Sequence, residues 1–214
     1  MTARADIRPF QPSDLDALYA IALATGDAGQ DASALYEDPQ LVGHIYAAPY
    51  ALLEPQCAFV VEDEQGVGGY IIGTADTRRF EARLEAEWWP KLRERYPAPE
   101  SKTPTAWTAD EQRAWLIHNP FVTPERIVAS YPAHLHINLL PRLQGRELGR
   151  RAIRRFLGAV GEAGARGIHL GCSMANTRAL RFYDAYGFTE IERSEKFGTV
   201  WMGFIVPDAG SDAP

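Results

Sequence analysis

The chain has 214 residues, of which 46% are hydrophobic and 23% are charged, and this balance is typical of a soluble globular protein rather than a disordered or fibrous one. No apolar run approaches the roughly 20 residues of a membrane helix, and the N-terminal sequence MTARADIRPF lacks the apolar core of a signal peptide. The formal net charge of -6 argues against general nucleic-acid binding, which needs a basic face, and mildly favours a cationic substrate.

Two cysteines, Cys57 and Cys172, are too few for a disulfide framework or for a zinc site built on cysteine. Such low cysteine usage fits a reducing compartment. Together with the N-terminal sequence it predicts a cytoplasmic protein that does not contact a membrane and holds no metal.

The first third of the chain predicts one strand, one helix and a hairpin. Residues 5–10 have the pattern of a short strand, and Ser13 is the expected N-cap of a helix that ends at Gly26. The segment that follows carries prolines and isolated apolar pairs, so we expect loops and short helices there. Two β-branched and aromatic runs, 57–62 and 67–75, then form a hairpin.

Residues 77–130 differ in character from the segments on either side, because they contain six prolines and most of the tryptophans. We expect helices at 80–89, 91–96 and 110–118. A capping box of Thr108 and Glu111 opens the last of them. The stretch is too long for a plain hairpin connection and too aromatic for a solvated linker, so we predict a helical insertion.

The last third alternates strand and helix. The predicted elements are a strand at 134–140, a helix from about 147 to 161, a strand at 167–173, a helix between Asn176 and Gly187, and strands at 190–193 and 199–206. This order predicts an α/β (α+β) fold, with a mixed central sheet of about six or seven strands, parallel pairing in its middle and helices on its faces. We expect a single domain over residues 1–207 and a disordered tail at 208–214.

Arginine is concentrated around the start of the long helix. Six of the 22 basic residues fall between positions 142 and 155, against one acid, Glu147. Because the first N–H groups of a helix are unpaired and its dipole is positive there, the cluster is a candidate anion site. The alternative is a solvated helix face, which charge pattern alone favours. The opposite, apolar face is expected at Leu148, Ala152, Ile153, Phe156, Leu157 and Val160.

The loop before this helix carries a specific pattern. The run Gln144-Gly145-Arg146-Glu147-Leu148-Gly149-Arg150 follows a strand and opens a helix. It resembles the Q/R-x-x-G-x-G/A loop by which GNAT acetyltransferases hold the pyrophosphate of acetyl-CoA, and it lacks the G-K-[ST] of a P-loop. Glu147 stands where the pattern has glycine. A carboxylate there weakens pyrophosphate binding unless it points away or pairs with an arginine.

A second pattern lies where this family requires it. The run Asn176-x-x-Ala179-x-x-Phe182-Tyr183-x-x-x-Gly187-Phe188 resembles the other half of the GNAT signature. Asn176 and Tyr183 are two helical turns apart and lie on one side of the helix. The resemblance implies that the amide binds the pantetheine arm and that the phenol is the general acid for the thiolate leaving group. The alternative for this motif alone is a routine cap and a core tyrosine.

The resemblance covers about residues 57–206. The hairpin, the tryptophan-bearing insertion and the strand HLHINLL are similar to the C-terminal acetyltransferase-like domain of O-GlcNAcase and its stand-alone bacterial relatives. This implies a GNAT fold with a helical insertion at 77–130, before the strand that leads to the pyrophosphate loop, and acetyl-CoA as co-substrate. The implied cofactor-binding residues are Leu139, Leu140, Gln144, Gly145, Arg146, Glu147, Leu148, Gly149, Arg150, Asn176, Ala179, Phe182 and Tyr183.

The strand before the loop offers a base for an attacking amine. His134 and His136 are two residues apart and therefore on one face of the strand. A neutral imidazole accepts protons near pH 7, so both are candidate catalytic bases beside Tyr183 as the acid. The alternatives are a buried structural pair or a metal pair, and the lack of an adjacent third ligand disfavours the metal. Asp76 is a second candidate base.

The acceptor is expected beside the thioester, walled by the insertion. Candidate wall residues are Trp88, Trp89, Trp107 and Trp115, with Glu81, Glu85 and Glu87 to attract a cation. More often such tryptophans form the core of their own segment. We expect transfer of acetyl to a primary amine of an unidentified amine or peptide by direct attack. The alternative is a catalytically silent module that binds acetyl-CoA or a partner, and a homodimer is left open.

Overall fold

A computed structural model of the chain describes residues 5–100 and 103–206. Seven strands form one sheet: β1 (Asp6–Pro9), β2 (Ala58–Asp63), β3 (Gly66–Thr74), β4 (Ala133–Leu139), β5 (Gly167–Ser173), β6 (Thr189–Ser194) and β7 (Thr199–Ile205). Each of these strands corresponds to a predicted one. The tail at 208–214, predicted to be disordered, lies outside the described residues.

Helices cover both faces of the sheet. The α-helices of the described ranges are α1 (Leu15–Ala24), α2 (Leu41–Tyr46), α3 (Ala48–Leu53), α4 (Thr77–Arg83), α5 (Trp89–Arg95), α6 (Ala109–His118), α7 (Glu125–Val128), α8 (Leu148–Glu162) and α9 (Thr177–Tyr186). A π-helical turn, Leu84–Trp88, joins α4 to α5. None of the helices in these ranges combines the length and the apolarity needed to cross a membrane.

The sheet is mixed, with one parallel pair in its middle. The strand order is β1-β2-β3-β4-β5-β7-β6. β4 and β5 run parallel, and the other neighbouring pairs are antiparallel. A parallel pair needs a crossover connection, which α8 supplies here. The predicted α/β fold with a mixed sheet of seven strands is confirmed.

The first helix begins and ends at different residues from those that the sequence predicts. A 3-10 turn, Pro12–Asp14, precedes α1, and the Asp14 carboxylate accepts a hydrogen bond from the Gln11 backbone N–H at 2.8 Å. Gln11 therefore caps this end, and the predicted Ser13 cap is wrong. The helix stops at Ala24, before the predicted end at Gly26.

Two hydrophobic cores lie on opposite faces of the sheet. α8 and α9 pack on one face. The predicted apolar face of α8 is confirmed, since its six residues are at most 4% exposed. The other core is formed by α1, α2 and α3 together with helices of the insertion. Helices thus cover both faces of the sheet.

The insertion contributes its aromatic residues to the second core. Phe80 and Trp89 are buried there, and the Trp88 indole donates a hydrogen bond to the His44 carbonyl at 2.9 Å. Trp107 and Trp115 pack against each other, with ring centroids 5.9 Å apart. The predicted capping box is confirmed by the Glu111 carboxylate, which accepts from the Thr108 N–H at 2.7 Å, and by the reciprocal bond. Trp88 and Trp89 therefore serve the packing of the second core, whereas Trp115 is exposed.

β4 and β5 separate along their length. They are paired only at Ala133 with Ile168 and at His134 with His169. Beyond these two pairs β4 continues to Leu139 and β5 to Ser173. The facing backbone edges of the two strands leave a wedge-shaped gap in the sheet, at the side where α8 and α9 begin.

Candidate active site

A cavity of about 430 Å³ opens where β4 and β5 separate. The residues from the two sequence motifs that line it are Leu139, Gln144, Gly145, Arg146, Glu147, Gly149, Arg150, Asn176, Ala179, Phe182 and Tyr183. Two predicted cofactor residues lie elsewhere. Leu140 packs against the core that contains α1. Leu148, the first residue of α8, is buried in the core on the other face of the sheet.

Five further residues line the cavity that sequence reasoning missed. They are Thr25, Gly29, Ile137, Asn138 and Arg178. Thr25 and Gly29 belong to the loop after α1, and the Asn138 amide donates a hydrogen bond to the Thr25 hydroxyl at 2.5 Å. This loop therefore reaches across the sheet and closes one wall of the cavity.

Gln144 connects the two sides of the gap. Its amide nitrogen donates to the Leu139 carbonyl at 2.6 Å, and its amide oxygen accepts a hydrogen bond from Arg178 on α9. Gly149 then brings α8 close to α9, since a Cβ at this position would lie 2.9 Å from the Phe182 ring. The loop pattern thus serves packing as well as ligand contact.

Glu147 adopts a left-handed backbone conformation, with φ of 59° and ψ of -1°, immediately before α8. This conformation favours glycine, the residue that the family pattern has here, and costs other residues roughly 1–2 kcal/mol. The side chain is exposed and makes no ion pair within the described ranges. It is therefore not held by an arginine.

The arginines around the loop have different partners. Arg142 forms an ion pair with the buried Asp63 at 3.3 Å, so it is not available to the cavity. Arg155 lies over the Phe59 ring, 5.1 Å from its centroid, and does not line the cavity. Arg150 does line it and donates to the Ala185 carbonyl. The predicted cluster of positive charge is therefore divided, and only part of it faces the cavity.

Asn176 caps α9, as predicted. Its side-chain oxygen accepts from the Ala179 N–H at 3.1 Å. The amide nitrogen packs against Gly29, where φ is +88° and a Cβ would approach it to 2.9 Å. The cap and the loop after α1 together fix the orientation of this amide at the cavity wall.

Tyr183 lies two turns along α9 from Asn176, lines the cavity and is 8% exposed. Burial raises the pKa of its phenol well above the usual value, and the neighbouring Cys172 adds to this. Burial also raises the pKa of the Cys172 thiol to about 11. At neutral pH both groups therefore keep their protons, and the phenol is a proton donor.

The predicted histidine pair lies on the same face of β4 as Asn138 and is partly buried. His134 Nε2 and His136 Nε2 are 2.9 and 3.1 Å from the hydroxyl of Tyr50 on α3. His134 Nδ1 is 2.8 Å from Thr77 Oγ1 at the start of α4. The two histidines are thus members of one hydrogen-bonded network. His136 is two residues before Asn138, the residue on the same face of β4 that lines the cavity.

Burial lowers the pKa of His136 to about 4 and the pKa of His134 well below its ordinary value. Both rings are therefore neutral at pH 7 and carry a lone pair. A pKa of about 4 makes His136 a weaker base than the imidazole titrating near pH 7 that the sequence predicts. The described part of the chain contains no group of three or more metal-ligating side chains, histidines included, that could hold an ion. The other candidate base, Asp76, caps α4 by accepting from the Arg79 N–H at 3.0 Å.

The acids of the insertion are engaged in ion pairs. Glu81 pairs with Arg78 at 2.7 Å. The two other pairs are Glu85 with Arg93 at 2.5 Å and Glu87 with Arg83 at 3.0 Å. Each of these acids is therefore paired with an arginine, which weakens its attraction for a cationic acceptor.

Trp201, the fifth tryptophan of the chain, lies outside the insertion, on β7. Its neighbours Val200 and Met202 point into the core beneath α9, so alternation along β7 directs Trp201 to the opposite face. Its ring stacks on Phe121 at 5.8 Å and is 5.7 Å from His169. The alternation of side chains along a strand could have predicted that Trp201 lies on the face opposite Val200 and Met202, because both of these neighbours are apolar.

Comparison with known proteins identifies the family. A model of the Acetyltransferase (GNAT) family matches residues 5–188. Protein O-GlcNAcase from Rattus norvegicus is 26% identical over 191 residues, which are 89% of this chain and 21% of that protein. The Mus musculus protein matches to the same extent. The chain thus spans about a fifth of the length of the curated relatives it matches.

Solved structures agree with this assignment. The crystal structure of SsHAT has a TM-score of 0.87 and 41% identity, over 95% of this chain and 99% of that one. The structure of yncA from Salmonella typhimurium with its cofactor acetyl-CoA has a TM-score of 0.54 and 15% identity, over 98% and 99% of the two chains, and shows the fold alone. Since the family model covers most of the sequence, the chain belongs to the GNAT acetyltransferase family.

Proposed function

We propose that the chain binds acetyl-CoA between β4 and β5 and transfers the acetyl group to the primary amine of a small molecule or peptide. The observation that carries this proposal is a single cavity lined by the 144–150 loop, by Asn176 and by Tyr183. The family match supports the same co-substrate.

The start of α8 suits the pyrophosphate. Arg150 and Arg178 line the cavity, and their hydrogen bonds go to neutral oxygens, those of Ala185 and Gln144. Within residues 5–100 and 103–206, no carboxylate is hydrogen-bonded to either of these two guanidinium groups. The dipole of the 15-residue helix adds positive potential at the same end.

Tyr183 and the histidine pair suit the two proton transfers of this reaction. Acetyl-CoA supplies a thioester, whose carbonyl carbon is attacked by the amine nitrogen while the carbon–sulfur bond breaks. Tyr183 donates its proton to the departing sulfur, and His134 or His136 takes the proton of the amine. The raised pKa of Cys172, about 11, supports direct attack without a covalent enzyme intermediate, because a protonated thiol is a poor nucleophile.

A silent acetyl-CoA-binding module is the second candidate function. Glu147 favours it, because this exposed carboxylate lines the cavity near the expected pyrophosphate. The deciding experiment is a transfer screen with acetyl-CoA against amines and lysine peptides, run beside calorimetric titration of the same protein with acetyl-CoA. Binding with product formation supports the enzyme. Binding without turnover of any acceptor or of water supports the module, and absence of binding contradicts both.

Removing positive charge at the start of α8 is expected to weaken acetyl-CoA binding. A ligand that binds only the folded state raises the melting temperature, so acetyl-CoA should stabilise the wild type. Arg146→Ala and Arg150→Ala, which alter residues of the cavity wall, should reduce this shift. Arg155→Ala is the control, because its guanidinium lies over Phe59. Each shift is measured against the same variant without ligand, and equal losses from all three contradict the phosphate assignment.

Glu147→Gly is expected to stabilise the free protein and to tighten acetyl-CoA binding. Glycine relieves the left-handed strain but adds unfolded-state entropy, which leaves a net gain of about 0.5–1 kcal/mol. The penalty for glycine inside a helix does not apply, because φ at this position is 59°. Glu147→Ala is the matched control, since it removes the carboxylate and keeps the strain.

Thermal unfolding should therefore separate the two variants, whereas calorimetry should give tighter acetyl-CoA binding for both. Weaker binding of acetyl-CoA by both variants would mean that the carboxylate assists the ligand.

A further inference from the structure

A chain of hydrogen bonds connects Pro132, Thr77, His134, Tyr50 and His136. Thr77 Oγ1 is 2.7 Å from the Pro132 carbonyl oxygen and 2.8 Å from His134 Nδ1. Tyr50 Oη then bridges His134 Nε2 and His136 Nε2 at 2.9 and 3.1 Å. Thr77 is fully buried and Tyr50 is 7% exposed, so these two hydroxyl groups of the hydrogen-bonded network are enclosed between α3, α4 and β4.

Each group in this hydrogen-bonded network can donate a fixed number of hydrogen bonds. A hydroxyl donates one hydrogen, a neutral imidazole carries one N–H, and a carbonyl oxygen only accepts. The bonds can therefore all run in one of two directions. In the first, Thr77 donates to Pro132, His134 Nδ1 donates to Thr77, Tyr50 donates to His134 Nε2 and His136 Nε2 donates to Tyr50. In the reverse direction Thr77 donates to His134, and the bond to Pro132 is lost.

The first direction therefore has one more hydrogen bond, which corresponds to a preference of about five-fold. It leaves His136 with its proton on Nε2 and a lone pair on Nδ1. That nitrogen has no hydrogen-bond partner among the described residues. The lowered pKa of both histidines agrees with neutral rings.

We propose that Thr77 and Tyr50 are positioning residues that set the tautomer of His136, so that its Nδ1, rather than any nitrogen of His134, accepts the proton of the attacking amine. Both nitrogens of His134 are hydrogen-bonded within this network, whereas one nitrogen of His136 has no hydrogen-bond partner among the described residues. The catalytic half of this inference rests on the proposed function, and the tautomer half does not.

The tautomers are measured directly by long-range proton–nitrogen correlation NMR on protein labelled with ¹⁵N-histidine, at pH 7. The wild type should show His136 mainly as the Nε2–H form and His134 mainly as the Nδ1–H form. Thr77→Val removes the extra bond while keeping a side chain of similar shape. It should lower the His136 tautomer ratio from about five to about one. Thr77→Ser keeps the hydroxyl and should retain the wild-type ratio.

A wild-type His136 that carries its proton on Nδ1 overturns the inference without any variant. A His136 tautomer that is unchanged in folded Thr77→Val overturns the role of Thr77. Once an acceptor is known, Thr77→Val should lower kcat about 1.7-fold, because the share of the active His136 tautomer falls from about five in six to about one in two. The KM for acetyl-CoA should not change, and Thr77→Ser should keep the wild-type kcat. A tautomer shift without a change in kcat overturns the catalytic half. Failure to find any acceptor contradicts the proposed function and leaves the tautomer result standing.

Discussion

Tyr183→Phe is expected to lower acetyl transfer by about 10²- to 10⁴-fold, the usual contribution of a general acid. The substitution removes one oxygen from a side chain that is 8% exposed at the cavity wall, so the fold and most of the acetyl-CoA affinity should remain. The measurement is the rate of product formation at saturating acetyl-CoA, with calorimetric binding of the co-substrate to the same variant.

Tyr186 provides a matched control for this experiment. It lies on the same helix and is 2% exposed, and it does not line the cavity. Its hydroxyl is buried and has no hydrogen-bond partner in the described part of the chain, so Tyr186→Phe should leave turnover unchanged and cost no stability. Wild-type turnover by Tyr183→Phe would contradict the assigned acid even if cofactor binding is as proposed.

Mild acid is expected to destabilise the protein steeply. Burial lowers the pKa of His44 and of His136 to about 4, and the pKa of His134 also lies well below 6.5. Between pH 6.5 and about 4 the unfolded chain therefore binds more protons than the folded one. The free energy of unfolding should fall with pH by up to about 1.4 kcal/mol per pH unit for each histidine.

The window from pH 6.5 to 5 isolates this effect from the carboxylates. The pKa values of Asp14 and Asp38 are lowered by hydrogen bonds, so they affect stability only at more acidic pH. The check is denaturant unfolding at several pH values in this window. Arg95 lies 3.2 Å from His44 Nε2 and can only donate a hydrogen bond, so His44 must be neutral in the folded protein. His44→Gln should therefore reduce the dependence of the unfolding free energy on pH by the contribution of one histidine. Constant stability over the window would show that the histidines titrate normally.

The sequence pattern predicted the elements that carry the two motifs, because their periodicity and caps are local. The apolar face of α8 and the Asn176 cap both follow from residues within a few positions of each other. Tyr50, Thr25 and Gly29 lie between 24 and 55, where prolines and short apolar pairs give no clear period. Only tertiary packing brings these residues to β4, so neither the part of the cavity wall that Thr25 and Gly29 form nor the hydrogen-bonded network around Tyr50 was predictable.

The ion-pair partners of the charged residues also could not be predicted from the sequence. Arg142 belongs to the predicted arginine cluster, but its partner Asp63 is far away along the chain. Glu85 likewise pairs with Arg93 across a π-helical turn that no local signal predicts. Whether a charged residue faces a ligand depends on such partners, and these are fixed by the three-dimensional packing of elements.

The separation of β4 and β5 has a mechanical consequence. One half of the sheet, β1 to β4, meets the other half, β5 to β7, through only two residue pairs, whereas β5 and β7 align seven. Within the sheet the two halves are therefore joined by a short paired segment, and we expect rotation of one half against the other to widen or narrow the cavity. A ligand that pairs with both free edges restrains this rotation, so backbone amides on both halves should exchange with solvent more slowly. The rigidity of the whole sheet would then depend on whether this gap is filled.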